Sequence, residues 1–492
     1  MLGPLFVSAI LAIVPASAGK SDSERSITLN AKDTGYRGIW YMNQPLQNEY
    51  RFKYSGGLGT YCAKHQPFAV YCEKVNKTFF CYGGTAEGTH LKYDLTKTSD
   101  AGGVPGALLH MVSYYDHASG QVPRPTILLD KHTKDAHDNP VISIDDRGYL
   151  WIFSTSHGTG RPSYIHRSNE PYSIDKFERV GATKIEDGNE APITNFSYMQ
   201  PWFVPGRGFL AFFTRYNYPA ARTACFMTSR DGVHWSEWQR VAAIDQGHYQ
   251  ISIANDHKAG TALNYHPKGK GLNWRTNLYY IETADLGQTW NAADGKAVAL
   301  PLTTPQNAAL VRDYEKESLL VYLKDIRFDE FNRPVILFIT SRGYRSGPED
   351  GPRTWTTARS TGATWEIRPV TTSDNNYDMG SLYIERDGTW RIIAPTEQGP
   401  QSFNPGGEVA IWASSDQGAT WRKARQLTRN SPFNHTYVRH PVNAHEGFYA
   451  FWADGNGREP SASSLYFCTQ AGDVFRLPRQ MSEESAQPEK VN

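Results

Sequence analysis

The chain has 492 residues, is 21% charged and carries a formal net charge of +1 with no Lys/Arg run, which excludes a nucleic-acid-binding tract and a polybasic membrane patch. Aromatic residues make up 13%, with 28 Tyr and 42 Gly, so strand and turn formers dominate and long helical patterns are scarce. Five cysteines without C-x-x-C spacing exclude a zinc ribbon or finger and read as buried thiols or a single disulfide.

In chain order, residues 2–18 form an apolar run ending Ala16-Ser17-Ala18, which reads as a secretory signal peptide over 1–18, although its basic start is missing. The run is short for a membrane span, and no later stretch approaches ~20 apolar residues. A secreted or periplasmic, soluble protein is expected. Next comes Lys53-Tyr-Ser-Gly-Gly-Leu-Gly-Thr60, whose glycines allow close backbone approach to a ligand. It is followed by Lys64-His65-Gln-Pro67, where the proline keeps the chain extended or turning.

Two hairpins come after. The turn Asp145-Asp-Arg-Gly148 joins strand-like residues 141–144 and 149–154, and reflection about it pairs His137 with His157 to within one residue. The turn Pro205-Gly-Arg-Gly208 likewise pairs Tyr198 with Arg215. Both pairs lie about ten residues from their turns, at the same end of consecutive hairpins.

The second half repeats one device. Ser229-Arg-Asp-Gly-Val-His-Trp235, Thr283-Ala-Asp-Leu-Gly-Gln-Thr-Trp290 and Ser414-Ser-Asp-Gln-Gly-Ala-Thr-Trp421 follow the Asp-box pattern S/T-x-D-x-G-x-T-W, and Ala358-Arg-Ser-Thr-Gly-Ala-Thr-Trp365 keeps its second half. Asp caps its own turn, Gly supplies positive φ, and Trp packs the turn onto its neighbour. The tryptophans are 55, 75 and 56 residues apart, a repeat in the propeller range. Residues 19–481 therefore read as one all-β domain, a β-propeller for which ~60–65 residues per unit favours seven four-stranded blades over six or eight, with 482–492 a polar tail expected to fray.

A phenol, a guanidinium and two imidazoles on one face suit removal of a proton beside a carboxylate. Arg215 would neutralise the carboxylate, and His137, His157 and Tyr198 would supply base and acid. The bland alternative is that the four are rim or core residues with satisfied hydrogen bonds. Further polar candidates for binding are Arg124, His248, Tyr249, Arg275, Asn277, Arg327, Tyr377, Asp378, Arg439 and His440. The chemistry needs no cofactor, and no ligand spacing is diagnostic for a structural Ca²⁺ or Zn²⁺ ion near a propeller axis.

Gly35-Tyr-Arg-Gly-Ile-Trp40, the Tyr-Ser-Gly-Gly-Leu-Gly-Thr segment, Asp135-Ala-His-Asp-Asn-Pro140, Tyr198-x-x-Pro201, Thr214-Arg215, Arg275-Thr-Asn277 and the Asp boxes together resemble the BNR-repeat propeller proteins. That group includes ulvan lyases, rhamnose–glucuronate lyases and α-L-rhamnosidases. The resemblance implies a lyase site of two histidines, a tyrosine and an arginine, matched in order by His137, His157, Tyr198 and Arg215. For a rhamnosidase it implies a single histidine on the opposite face, with His65 as counterpart. The expected function is β-elimination of a rhamnose–uronate polysaccharide by a monomer. The alternatives are hydrolysis of rhamnosyl-glucuronate through His65 and a non-catalytic, anionic-glycan-binding propeller.

Overall fold

The computed structural model describes residues 27–62, 64–93 and 105–492, so the signal-peptide reading of 1–18 lies outside the described residues. Secondary structure there is strand apart from three single 3₁₀ turns, and no helix is long and apolar enough to cross a membrane. Seven sheets of four or more strands follow one another along the chain, mostly as antiparallel meanders. Pro140–Ile144, Leu150–Ser154, Tyr164–Ser168 and Phe177–Arg179 form one of them, and Gln250–Ala254, Ala259–Tyr265, Thr276–Thr283 and Leu310–Arg312 another. Runs such as Pro334–Ser341 are buried along nearly their whole length, because both faces of each inner sheet are covered.

The Asp boxes supply part of that cover. In the copy at 283–290, Asp285 accepts from the Thr289 backbone N–H at 2.9 Å and its hydroxyl at 2.6 Å, while Gly287 adopts φ +92°. Trp290 donates Nε1 to the Gly287 carbonyl and lays its ring 5.1 Å from Phe226 of the preceding sheet. Trp235 reaches back to Phe153 at 6.1 Å, and Trp365, in the copy that lost its Asp, to Tyr280 at 5.7 Å. Each of these three tryptophans thus covers part of the sheet before its own.

First and last sheets meet. Tyr71 N–H donates to the Val442 carbonyl, and Val442 N–H to that of Ala69. The hairpin Trp40–Pro45/Phe52–Gly57 packs on the last sheet, where the Thr436 hydroxyl donates to the Gly57 carbonyl. The segment 482–492, expected to fray, is docked instead: Ser485–Ala486 pairs with Val122–Pro123 and Glu489–Lys490 with Phe475 and Arg476. Its polar side chains hid this because the pairing uses backbone groups. All five cysteines are free thiols.

Two sheets begin with a strand that runs between two cavities. Tyr249 and Tyr377, just ahead of Gln250–Ala254 and Ser381–Ile384, line a cavity of about 150 Å³. Ala254 and Ile384, at the far ends of those strands, line a wider one of about 1030 Å³. At ~3.3 Å per residue the two mouths are roughly 17 Å apart.

Candidate active site

The ladder Pro140↔Ser154 to Ile144↔Leu150 has the register that, carried outward, sets His137 opposite His157. Their rings stack at 4.0 Å with an interplanar angle of 16°. Asp135 caps the 3₁₀ turn Ala136–Asp138, accepting from the His137 backbone N–H, and its carboxylate lies against both imidazoles. Oδ1 is 2.5 Å from His137 Nδ1 and Oδ2 is 2.9 Å from His157 Nδ1. A carboxylate can only accept, so both Nδ1 atoms carry protons.

Tyr54 then donates to His137 Nε2 at 2.7 Å, and Tyr61 to the Tyr54 hydroxyl at 3.0 Å. Arg161 bridges Asp135 and Asp138. Burial, reinforced by His157 and opposed by Asp135, lowers the His137 pKa to about 4, which leaves it neutral at physiological pH. Asp135, His137 and His157 offer ligand atoms within 4.8 Å of one another. A cation there would compete with Arg161 for Asp135.

The second hairpin departs from simple reflection. Ser197↔Thr214 and Gln200↔Phe212 are separated by a bulge containing Tyr198, which sits at φ +52°, uncommon for a bulky residue. Arg215 does not face Tyr198: it donates to Asn195 Oδ1 at 2.7 Å and lies over Trp238. Asn195 in turn donates to the Arg161 carbonyl, so Arg215 buttresses the acidic turn. The group that meets Tyr198 is Tyr216, donating to its hydroxyl at 3.2 Å, with Arg222 Nε 3.5 Å from the Tyr216 oxygen. Arg222 went unnoticed in the sequence, although reflection about the turn 217–221 pairs it with Tyr216, as the ladder does.

His65 is not on an opposite face. Its ring lies 5.5 Å from Tyr198, its Nε2 is 3.4 Å from the Thr155 hydroxyl, and it is wholly buried. Burial pushes its pKa well below the imidazole range. The two sites expected from the sequence are one cluster. The bend at His65-Gln-Pro67 turns the ring inward, which a linear motif does not reveal.

Beside this cluster, the smaller cavity is lined by His137, His157, Tyr54, Tyr249 and Tyr377 and by the cations Lys53, Lys64, Arg222 and Arg275. No carboxylate is among the described residues that line it. Arg275 lies over the Tyr249 and Tyr322 rings at 4.5 Å and donates to the Tyr377 hydroxyl. Arg222 Nη1 and Arg275 Nε are buried with no hydrogen-bond partner among the described residues. Buried guanidinium N–H groups without acceptors, walled by phenols, have the chemistry to accept an anion.

The other candidates lie elsewhere. Arg124 grips the carbonyls of Ser482 and Glu483, and Arg439 those of Thr60 and Cys62. His248 joins Ile244 N–H to the Asn264 carbonyl, and Asn277, at φ +57°, accepts from Glu315 N–H. Asp378 accepts from the backbone of Asn375 and Gly406. Arg327 and His440 line the wider cavity.

Similarity to solved structures agrees with this fold. A polysaccharide lyase described as a PL25 ulvan lyase superposes with a TM-score of 0.66 at 15% identity, over 89% of this chain and 96% of its own. A PL25 ulvan lyase bound to -[GlcA(1-4)Rha3S]- gives 0.66 at 14% identity, with the same coverage of both chains. The polysaccharide lyase Uly1 gives 0.58 at 10%, over 91% of this chain and 99% of its own. No curated protein sequence matches the chain. The profile described as BNR repeat-containing family member matches residues 111–373, more than half of the sequence, and the chain belongs to the BNR repeat-containing family.

Proposed function

We propose that this protein is a seven-bladed propeller enzyme, exported from the cell, that cleaves a rhamnose–uronate glycan by β-elimination. The observation that carries the reading is the small cavity with Arg222, Arg275 and Lys53 on its wall, a histidine pair at its side and no carboxylate among the described residues that line it. Most glycoside hydrolases use a pair of carboxylic acids flanking the scissile bond. This wall instead suits a substrate that brings its own carboxylate. The glucuronate–rhamnose ligand named for a lyase of like fold supports the same substrate class.

Arg222 and Arg275 bind the uronate carboxylate and stabilise the enolate-like charge that builds as the C5 proton leaves. His157, its Nδ1 held by Asp135, presents Nε2 as the base. The C5 electron pair forms the C4–C5 double bond, the C4–O4 bond breaks, and O4 takes a proton from Tyr198, whose phenol burial keeps protonated.

The test is absorbance near ~235 nm, where an unsaturated uronate absorbs, with the purified protein on a glucuronate–rhamnose polymer; Tyr198→Phe should lose about 10²–10⁴-fold of the rate, the range of a general acid. A flat trace with free rhamnose would replace this reading with hydrolysis through His65; a flat trace without product, with binding retained, would leave a glycan-binding protein. Arg222→Ala is expected to cost about 10²–10³-fold, a typical loss for removing one charge-stabilising donor. Arg215→Ala should cost less. The reverse order in steady-state rates would return the carboxylate contact to Arg215.

A further inference from the structure

Lys53 is a buried amine without an acidic partner among the described residues, in the place where the substrate's charge would sit. It belongs to Phe52–Gly57, is 8% exposed, and its Nζ donates to Asn273 Oδ1. The Tyr54 and Tyr377 rings flank it at 5.9 and 5.7 Å. The charged and titratable groups around it are Arg275, Arg222, Tyr249, Tyr54 and Tyr377, with Lys64, His137, His157, Tyr61 and Cys62 on the same cavity wall. Among the other buried lysines, Lys131 has Asp138 at 3.5 Å and Lys184 has Glu186 at 2.7 Å, whereas Lys64 and Lys324 donate to the carbonyls of Leu323 and Asn376. Burial first, then Arg275, pulls the Lys53 pKa down to about 7.

We propose that Lys53 is the proton-linked anion contact of this cavity: a uronate carboxylate entering beside it fixes a proton on the amine, so that binding draws a proton from solvent. The proposal rests on the uronate reading above. The sign follows from linkage. Well below pH 7 the ammonium already exists and binding takes up nothing. Above pH 7 the amine is neutral when free and charged when bound, so affinity falls by up to tenfold per pH unit until the pKa of the complex is reached. KM should therefore rise above pH 7.

Calorimetric titration with an alternating glucuronate–rhamnose oligosaccharide, in two buffers of different ionisation enthalpy and on a Tyr198→Phe background that suppresses turnover, reads the proton directly. Expected uptake is about half a proton at pH 7 and close to one at pH 8, from a free pKa near 7. Lys53→Arg should bind with no uptake and with affinity flat across this range. Lys53→Met should also show no uptake and bind more weakly at pH 6.5. Uptake unchanged in both variants, or wild-type binding without uptake, overturns the assignment of Lys53 alone. Failure of any uronate to bind overturns the uronate reading together with it.

Discussion

Asp135→Asn is expected to lower elimination by about 10³–10⁴-fold with the fold intact, by analogy with loss of the orienting carboxylate in Ser-His-Asp triads. In this chain one carboxylate orients two imidazoles, through Oδ1 to His137 and Oδ2 to His157, and also meets Arg161. An amide has a single acceptor oxygen, and its nitrogen would aim N–H at one imidazole or at Arg161. One ring must then change tautomer or turn away. If His157 loses its Nδ1 partner, its Nε2 takes the proton and can no longer accept one from C5. A single-turnover trace at ~235 nm, with a melting curve to establish folding, measures this. A rate within tenfold of wild type would remove Asp135 from the mechanism.

Gly57→Ala is expected to destabilise the protein by about 3 kcal/mol or more, at the upper end of overpacking costs. A Cβ at position 57 would lie 1.6 Å from the Asp454 carbonyl oxygen and 2.6 Å from the Ser463 hydroxyl. The first contact is backbone against backbone, so no rotamer relieves it, and the N-terminal hairpin must shift from the last sheet. Thr436 would lose its acceptor in the move. Tyr54, which orders His137, lies three residues away in the same strand and would move with it. Thermal unfolding should drop by several degrees, and single-turnover rate should fall. A melting temperature equal to wild type would mean that the hairpin tolerates displacement.

Local rules written into the sequence survive wherever a turn and its flanking strands are regular. The turn at 145–148 is regular, so reflection places His137 against His157 even beyond the end of the ladder. On the next hairpin the ladder from Val204↔Gly208 to Gln200↔Phe212 already runs one residue off the Tyr198/Arg215 reflection, and the bulge at Tyr198 shifts it by one more, so Tyr198 meets Tyr216, beside Arg222, and not Arg215. Bulges leave no mark in composition, so such exchanges appear only in coordinates. The Asp boxes are legible because each motif contains both halves of its own hydrogen bonds. The packing of His65 beside Tyr198 depends on contacts between distant segments, which no local motif encodes. The tail at 482–492 shows the same limit, because backbone pairing to Val122–Pro123 is indifferent to side-chain polarity.

The backward reach of the Asp-box tryptophans gives the molecule a direction. Phe153, Phe226 and Tyr280 each take part of their cover from the sheet that follows. Melting one sheet therefore strips aromatic cover from its predecessor, and the loss passes upstream towards the N terminus. Nearest-neighbour coupling of this kind makes a repeat array open as one cooperative unit rather than sheet by sheet. The groups that form the proposed catalytic cluster, drawn from segments as far apart as Tyr54, His157 and Arg275, share that single stability and stay in register until the whole array yields.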